Sequence, residues 1–469
     1  MQLTFAHSKF AAWRGRSRYR EVLRVGLPLM LSHAVVTLME FTDRAFLSNY
    51  SLNAISAATP AGIAALVPIV LLSGISGFAG VFIAQYIGAG TPQRIGGVLW
   101  QAIYFALLSG LMTVALAGLA EPIFAWGGHA PTVQRLEIIY FRILCLGAGL
   151  HILGIGLSAF FTGRGSTGPV LAVNAAGLLF NVPLDYALIY GAWGFPELGI
   201  AGAACATVAS WGVMLILYAV LIFTPANARA FHLLQNLRPD AALLRRLLRF
   251  GVPAGLQGTV DILGFLFFIF IVGRIGTAEL AATNIVININ ALAFMPVFGF
   301  SLGVSTLVGQ AIGRGAPDQA RAAVWSAVHL MLLYTLAVDI LYIGWPQRLI
   351  ALYVPEAHAL TDFAAVIAIS TVLLRIVSVY VFMDALYMIF TGALRGAGDT
   401  HFVMWSLGSA VVLVFVLPVY ILVERLHIGI VGAWLCLLLF IAVLCTICAA
   451  RYAGGRWEKI RLLERQPPA

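Results

Sequence analysis

The chain has 469 residues, of which 61% are hydrophobic and only 10% charged, where a soluble domain runs near a quarter charged. That composition excludes a soluble globular protein. A formal net charge of +9 raises nucleic acid as a partner, but the placement of the charges decides against it.

Apolar runs of about 20 residues are each long enough to cross the hydrocarbon as a helix. In chain order twelve occur, at 25–47, 53–87, 95–119, 133–161, 168–191, 198–224, 248–273, 278–312, 320–345, 362–391, 402–423 and 428–450. They are apolar all round, whereas barrel strands alternate over about 10 residues, so an all-α integral membrane protein is expected. The runs 53–87 and 278–312 exceed a straight crossing and should tilt or continue beyond the bilayer.

A basic arm, residues 1–24, precedes the first span and a basic tail, 451–469, follows the last. Residues 225–247, "PANARAFHLLQNLRPDAALLRRL", carry apolar positions at helical spacing with cationic heads, which suits a helix lying at the membrane surface. Of the 28 Lys and Arg, only Arg135, Arg274, Arg348 and Arg425 fall in outer loops, and Arg44, Arg142 and Arg375 lie within or at the edge of spans. The rest share one side, so both termini are expected in the cytoplasm of a bacterial-type inner membrane, with the basic ends on anionic headgroups and no nucleic acid. All five Cys sit inside spans, which argues against disulfides and a cysteine metal site. The basic arm runs into a span too long for a cleavable signal core.

The chain repeats itself. At an offset of 225, Gly26/Gly251, Pro28/Pro253, Ala57/Ala282, Gly74/Gly299, Gln85/Gln310, Gly88/Gly313, Pro92/Pro317 and Trp100/Trp325 coincide, and "AQYIGAGTPQ" recurs as "GQAIGRGAPD". Later the register drifts, and "GIAGA" at 199–203 meets "GIVGA" at 429–433. Six spans per copy is an even number, so the repeat is parallel: two six-helix lobes, 25–224 and 248–450, related by a pseudo-twofold axis along the membrane normal and joined by 225–247. Such lobes suit a transporter that rocks about a cleft.

Ionisable groups inside the hydrocarbon cost roughly 2.5–3.5 kcal/mol each on insertion scales. Six acids fall there: Glu40, Asp43, Asp185, Asp261, Asp339 and Asp384. Glu40 precedes Arg44 by one turn, so an intrahelical pair can neutralise both, leaving Asp43 as the acid without a local partner. In the fifth span Asn174, Asn181 and Asp185 share one stripe, and Pro183 loosens nearby carbonyls. This oxygen-rich face suits a proton or a hard cation such as Na⁺; hydrogen bonding across helices is the structural alternative. In the second lobe Asp261 and Asp384 lie mid-span without a cation within one turn, and Asn284 and Asn288 form a polar stripe on the eighth. They form either a cation site, a contact for a cationic substrate, or structural hydrogen bonds. Asp339 near a span end can snorkel, as can Arg142 and Arg375. His151 and His329 read as hydrogen-bonded core residues. No phosphate-binding loop, metal-protease helix or nucleophile elbow is found, so no enzyme is expected.

Taken together, "GLPLML" with "FTDRAFL", "AQYIGAG", "FNVPLDYALIYG" through "FPELGIAGAACAT", "VPAGLQGTVD", "AATNIVIN", "GQAIGRG" and "TGALRGAGDT" resemble, in order and spacing, the multidrug and toxic compound extrusion (MATE) family over roughly residues 20–450. The resemblance implies twelve helices in two lobes and efflux of a small organic, often cationic, substrate in exchange for inward-moving H⁺ or Na⁺. It implies no other cofactor, and a monomer is expected. It places Asp43, Asn181, Asp185 and Thr207 at the family's N-lobe cation site, where Na⁺ can take the place of H⁺; Glu40 and Asn174, on the same two helices, are auxiliary candidates from the polar pattern alone. Pro28 falls at the first-helix proline associated with bending. Asp185 is the DinF-like choice, whereas Asp261 and Asp384 fall at NorM-like C-lobe positions, with Asp261 shorter than the usual Glu. The rival within transport is a lipid-linked oligosaccharide flippase, which needs a basic mid-membrane cavity where this chain is mainly acidic. The rival from another class is a substrate-binding or sensory membrane module.

Overall fold

A computed structural model describes residues 17–353, 364–460 and 462–463. The first part of the basic arm, residues 362–363 of the tenth expected span and the end of the tail lie outside the described residues. The described residues form an all-helical architecture. Among them, twelve helices are long and apolar enough to cross a membrane: α1 Tyr19–Tyr50, α2 Leu52–Gly88, α3 Pro92–Ala117, α4 Pro131–Arg164, α5 Gly168–Tyr190, α6 Ile200–Ile222, α7 Ala241–Ile275, α8 Thr277–Gly313, α9 Pro317–Gly344, α10 Ala364–Ala397, α11 Thr400–Glu424 and α12 Ile430–Ala453.

Each expected span falls on one of these helices, and several helices outrun it. Helix α1 begins at Tyr19 and takes in Arg20 and Arg24, good helix formers whose charges keep that end out of the hydrocarbon. The two longest apolar runs behave differently. Helix α2 is interrupted at Phe78, between Leu52–Gly77 and Ala79–Gly88. Helix α8 is unbroken over 37 residues despite Pro296; at about 55 Å in length it outreaches a hydrocarbon core of about 30 Å. The connection at 225–247 is not a single helix. A short helix Pro225–Ala230 gives way to turns through His232, at φ 50°, and α7 starts only at Ala241, because Pro239 cannot continue a helix from the residue before it.

The chain divides into two compact units, one running to Met30 and resuming at Val260, the other spanning Leu31–Thr259. Helices α1 and α7 therefore each contribute their first turns to one unit and the remainder to the other. The contacts that assign those turns are related by the repeat. In one unit, a Cβ on Gly299 of α8 would come within 2.4 Å of the Met30 backbone nitrogen of α1. In the other, a Cβ on Gly74 of α2 would come within 2.7 Å of the Gly255 Cα of α7. Gly74 and Gly299 are partners at the 225 offset, and so are Met30 and Gly255. Small residues are what let helices approach this closely in lipid, where burial of apolar side chains gives little driving force. The start of α1 is also tied to α9, where the Arg18 backbone N–H donates to Ser326 Oγ at 3.0 Å and Tyr19 OH meets His329 Nδ1 at 3.2 Å.

Each unit has its own core. One centres on Phe268, Val286, Leu373, Phe415 and Trp434; the other is built of Leu47, many alanines of α2, Phe124, Phe141, Ala148 and Ile189. The five cysteines are unpaired.

Gly299→Val should therefore lower the yield of folded protein and its unfolding midpoint, followed by fluorescence in detergent. Gly408→Ala, at a glycine with nothing within 4 Å of an added Cβ, should leave the midpoint unchanged or slightly raised.

Candidate cation-coupling site

Within the Leu31–Thr259 unit, the acid stripe of α5 is split by its surroundings. Asn174 Nδ2 donates to Ser32 Oγ of α1 at 2.6 Å, and Tyr218 OH of α6 donates to Asn174 Oδ1 at 3.3 Å. That amide has both its polar ends satisfied and ties α1, α5 and α6 together. Two turns along, Asn181 and Asp185 are both 0% exposed; Asn181 stands near enough to act on the Asp185 carboxylate, but among the described residues neither its two amide atoms nor the two Asp185 oxygens makes a well-formed hydrogen bond.

Asp43 projects from α1 and is 8% exposed. Tyr140 OH of α4 donates to its Oδ2 at 3.3 Å, and Oδ1 is unpartnered. Asp43 and Asp185 lie within electrostatic range of one another. The structure thus gathers α1, α4 and α5 around two carboxylates and an amide, with oxygens left unused. Most buried polar atoms in proteins are paired, so this concentration of unpaired oxygens fits a group that arrives from outside: a proton shared by the two acids, or a hard cation liganded by Asp43 Oδ1, Asp185 and Asn181 Oδ1. Thr207 sits half-buried on α6, and α6 packs against both α4 and α5.

Glu40 and Arg44, read from sequence as a neutralising pair, are both exposed. Among the described residues no ion pair within 4.0 Å joins them, although each stands in the other's field. Exposed charges that can be solvated separately have little reason to close such a pair. Pro28 lies inside α1, two residues before the chain leaves one unit for the other.

In the other unit Asp384 is 6% exposed and within range of Asp261, which is itself exposed. These two acids are not alone. Arg395 of α10 stands in the field of Asp261 and Tyr387, and its Nε has no hydrogen-bond partner. Asn284 and Asn288 are both exposed. Asn288 Nδ2 donates back to the Asn284 carbonyl at 2.8 Å, and among the described residues no hydrogen bond joins either amide to Asp261 or Asp384.

Of the remaining membrane charges, Arg142 Nη2 pairs with Glu121 at 2.8 Å and His151 lies tilted against Trp211 with ring centroids 5.0 Å apart. Arg375 lines a small cavity with Arg348, and Asp339 Oδ1 has no hydrogen-bond partner among the described residues. Three residues that the sequence reading passed over also emerge. Tyr140 holds Asp43, Arg395 faces the C-lobe acids, and Glu137 of α4 is 0% exposed with Oε1 2.7 Å from His129 Nδ1.

The acids do not follow the repeat that built the scaffold. At the 225 offset Asp43 corresponds to Phe268 and Asp261 to Val36. Phe268 is 1% exposed and packs edge-on to Trp434.

Twelve apolar helices in two repeat-related lobes, each with carboxylates deep in the fold, define a multi-pass membrane transporter. The chain belongs to the MATE family: the MatE model matches residues 28–187 and 253–421, so the matches begin at the paired prolines Pro28 and Pro253. It is 29% identical to the probable multidrug resistance protein NorM of Thermotoga maritima, over 95% of each chain. It is also 29% identical to the multidrug resistance protein PmpM of Pseudomonas aeruginosa, over 85% of this chain and 84% of that one. Among solved structures it superposes with a TM-score of 0.85 on a MOP superfamily transporter from Pyrococcus furiosus Vc1, at 20% identity, covering 94% of this chain and 97% of the other. Members of this family are transporters and not enzymes.

The two amide and acid positions of α5 should separate on mutation. Asp185→Asn removes a buried carboxylate that lacks a partner, and should raise the unfolding midpoint of the purified protein while coupled transport is lost. Asn174→Ala breaks two hydrogen bonds and should cost about 1–3 kcal/mol of stability, with the ion dependence of the residual transport retained.

Proposed function

We propose that the protein is a secondary efflux antiporter that exports a small organic substrate in exchange for a monovalent cation taken up at Asp43 and Asp185. The single observation that carries this reading is the pair itself: two carboxylates in electrostatic range, deep in an apolar helix bundle, with three of their four oxygens unpartnered. Groups left in that condition within a membrane mark ion pathways more often than scaffolding. Family membership supplies the export of drug-like compounds as the role, since the relatives are multidrug resistance proteins.

The proton is the coupling ion that the geometry favours. One proton shared between Asp43 and Asp185 lowers the charge of the pair without importing a bare ion that needs a full ligand shell, and the Tyr140 hydroxyl already engages one oxygen of Asp43. A second reading, Na⁺, is supported by the Asn181 Oδ1 beside the acids and by Thr207 on the adjoining helix; those oxygens would complete a hard-cation sphere. In either case the cation must bind the two facing states with different affinity, because a ligand held equally by both shifts no equilibrium. Loading cancels negative charge at Asp43, changes the hydrogen bonding of α1 to α4, and so alters the helix in which Pro28 sits. Asp261 and Asp384 serve the substrate in this scheme. Their negative charge suits a cationic compound, and Arg395 limits the excess charge when the substrate has left. The concentration of Lys and Arg in the loops of one side supports cytoplasmic termini, and the bacterial relatives support a bacterial membrane as the setting.

Uptake of a fluorescent organic cation into everted vesicles tests the coupling. Wild-type protein should move the dye under an imposed H⁺ gradient, or under an imposed Na⁺ gradient if the second reading holds. Asp43→Asn should move it at less than a tenth of that rate, with no response to either gradient. An Asp43→Asn variant that keeps the wild-type rate and ion dependence removes Asp43 from the coupling role.

A further inference from the structure

Away from the acid clusters, the unit that resumes at Val260 carries a second site at its surface. A cleft of about 300 Å³ lies where α9 ends beside α10, and its lining includes Trp345, Gln347, Arg348, Thr371 and Arg375. That volume is at the small end of the range of about 300–1,000 Å³ for ligand sites, which suits a headgroup better than a drug-sized compound. We infer that this cleft binds the phosphate of an anionic phospholipid, bridged between Arg348 and Arg375.

Both arginines stand on anchored elements. Arg348 belongs to a short helix, Pro346–Ala351, whose Ile350 is part of the core of this unit. Arg375 sits on α10 between Leu374 and Val377, both fully buried, and its carbonyl accepts from Ser378 Oγ at 2.8 Å. Both arginines are themselves exposed, so the helices fix where each side chain starts and leave its head to close on a ligand. Thr371 spends its hydroxyl proton on the Ile367 carbonyl at 2.8 Å, which leaves the guanidinium groups as the main donors of the cleft. No carboxylate lines it, and among the described residues none comes within 4.0 Å of either guanidinium.

The repeat shows what this corner lacks. In the other lobe a short helix at the same place in chain order, Ala120–Trp126, supplies Glu121, which pairs with Arg142 of α4 at 2.8 Å. With "FTG" at 161–163 set on "FTG" at 390–392, Arg142 falls on Thr371, one turn before Arg375. The C-lobe thus keeps an arginine on its long helix, but the short helix answers it with a second arginine and not an acid. Two like charges in one cleft repel, and an anion between them reverses the sign of the interaction. Guanidinium groups match phosphate oxygens in pairs. The surroundings favour a lipid over a soluble phosphate. Ile343, Trp345 and Val372 are 55%, 47% and 42% exposed, an apolar rim that acyl chains would cover, and tryptophan is enriched at headgroup level. The inference rests on the membrane location of the fold and not on the coupling ion or the substrate.

The test is native mass spectrometry of the full chain in detergent with phosphatidylglycerol and phosphatidylcholine at equal concentration, counting the phosphatidylglycerol molecules retained. Arg348→Gln with Arg375→Gln should retain one fewer than the wild type. Arg348→Glu alone should do the same with an unfolding midpoint no lower than that of the wild type, because it gives Arg375 the kind of partner that Arg142 has in Glu121. Glu121→Gln with Arg142→Gln, which opens the closed corner without a positive excess, should leave the count unchanged. A wild-type count in the double Gln variant of the cleft overturns the site, as does an equal loss in the Glu121 and Arg142 control. Loss of that one lipid from the wild type in millimolar inorganic phosphate overturns the lipid and assigns the cleft to soluble phosphate.

Discussion

A carboxylate placed in hydrocarbon must be neutralised, paired or hydrated, and that constraint organises this protein. Desolvating an ion costs several kcal/mol after relaxation, a large share of the stability of any fold. The N-lobe holds two such groups within reach of one another and leaves most of their oxygens unpaired. A helix bundle that needed only stability would have replaced Asp43 with an apolar side chain, as the repeat partner of that position has done with Phe268. The arrangement makes sense when the missing partner is a cation that comes and goes, with the cost of the empty state setting the affinity for the ion.

The scaffold and the chemistry have different histories in the same chain. The scaffold is duplicated down to individual close approaches, with Gly74 against Gly255 in one unit and Gly299 against Met30 in the other. The membrane acids are not duplicated: one lobe carries Asp43 and Asp185 with Asn181, while the other carries Asp261 and Asp384 with Arg395 at unrelated positions. An internal arginine, Arg395, stands in the field of Asp261, as Arg44 stands in that of Asp43; what sets the N-lobe pair apart is the number of buried oxygens left without a hydrogen bond among the described residues.

Much of this was legible because burial in lipid makes charge conspicuous. Asp43, Asp185, Asp261 and Asp384 stood out in apolar runs, and the duplicated glycines and prolines gave the two lobes. The stripe of α5 was read correctly in azimuth but not in partnership: Asn174 lies on the same face as Asp185, and whether an amide is free depends on Ser32 and Tyr218, which come from other helices. Tyr140 carried no signal, since a tyrosine in a transmembrane helix is cheap and common. Arg395 was hidden by "TGALRGAG", which has the look of a loop. In the structure α10 continues to Ala397, and Gly392 and Gly396 are there because a Cβ at either would strike the backbone of Ser301 or Ser305 on α8. The connection after α6 was misjudged as one helix for the converse reason, an amphipathic pattern overruled by Pro239.

The central claim is that a cation taken up at Asp43 and Asp185 lowers the affinity for a substrate held by Asp261 and Asp384, and linkage makes that effect reciprocal. It is tested most directly by adding a transported organic cation to purified protein in weakly buffered detergent and measuring proton release, with the Na⁺ dependence of the substrate Kd measured in parallel. The account predicts proton release on substrate binding, or a Kd that rises with Na⁺, and the loss of both in Asp43→Asn with Asp185→Asn. Substrate binding that releases no proton and ignores Na⁺ in the wild type, or linkage that persists in the double variant, would contradict it.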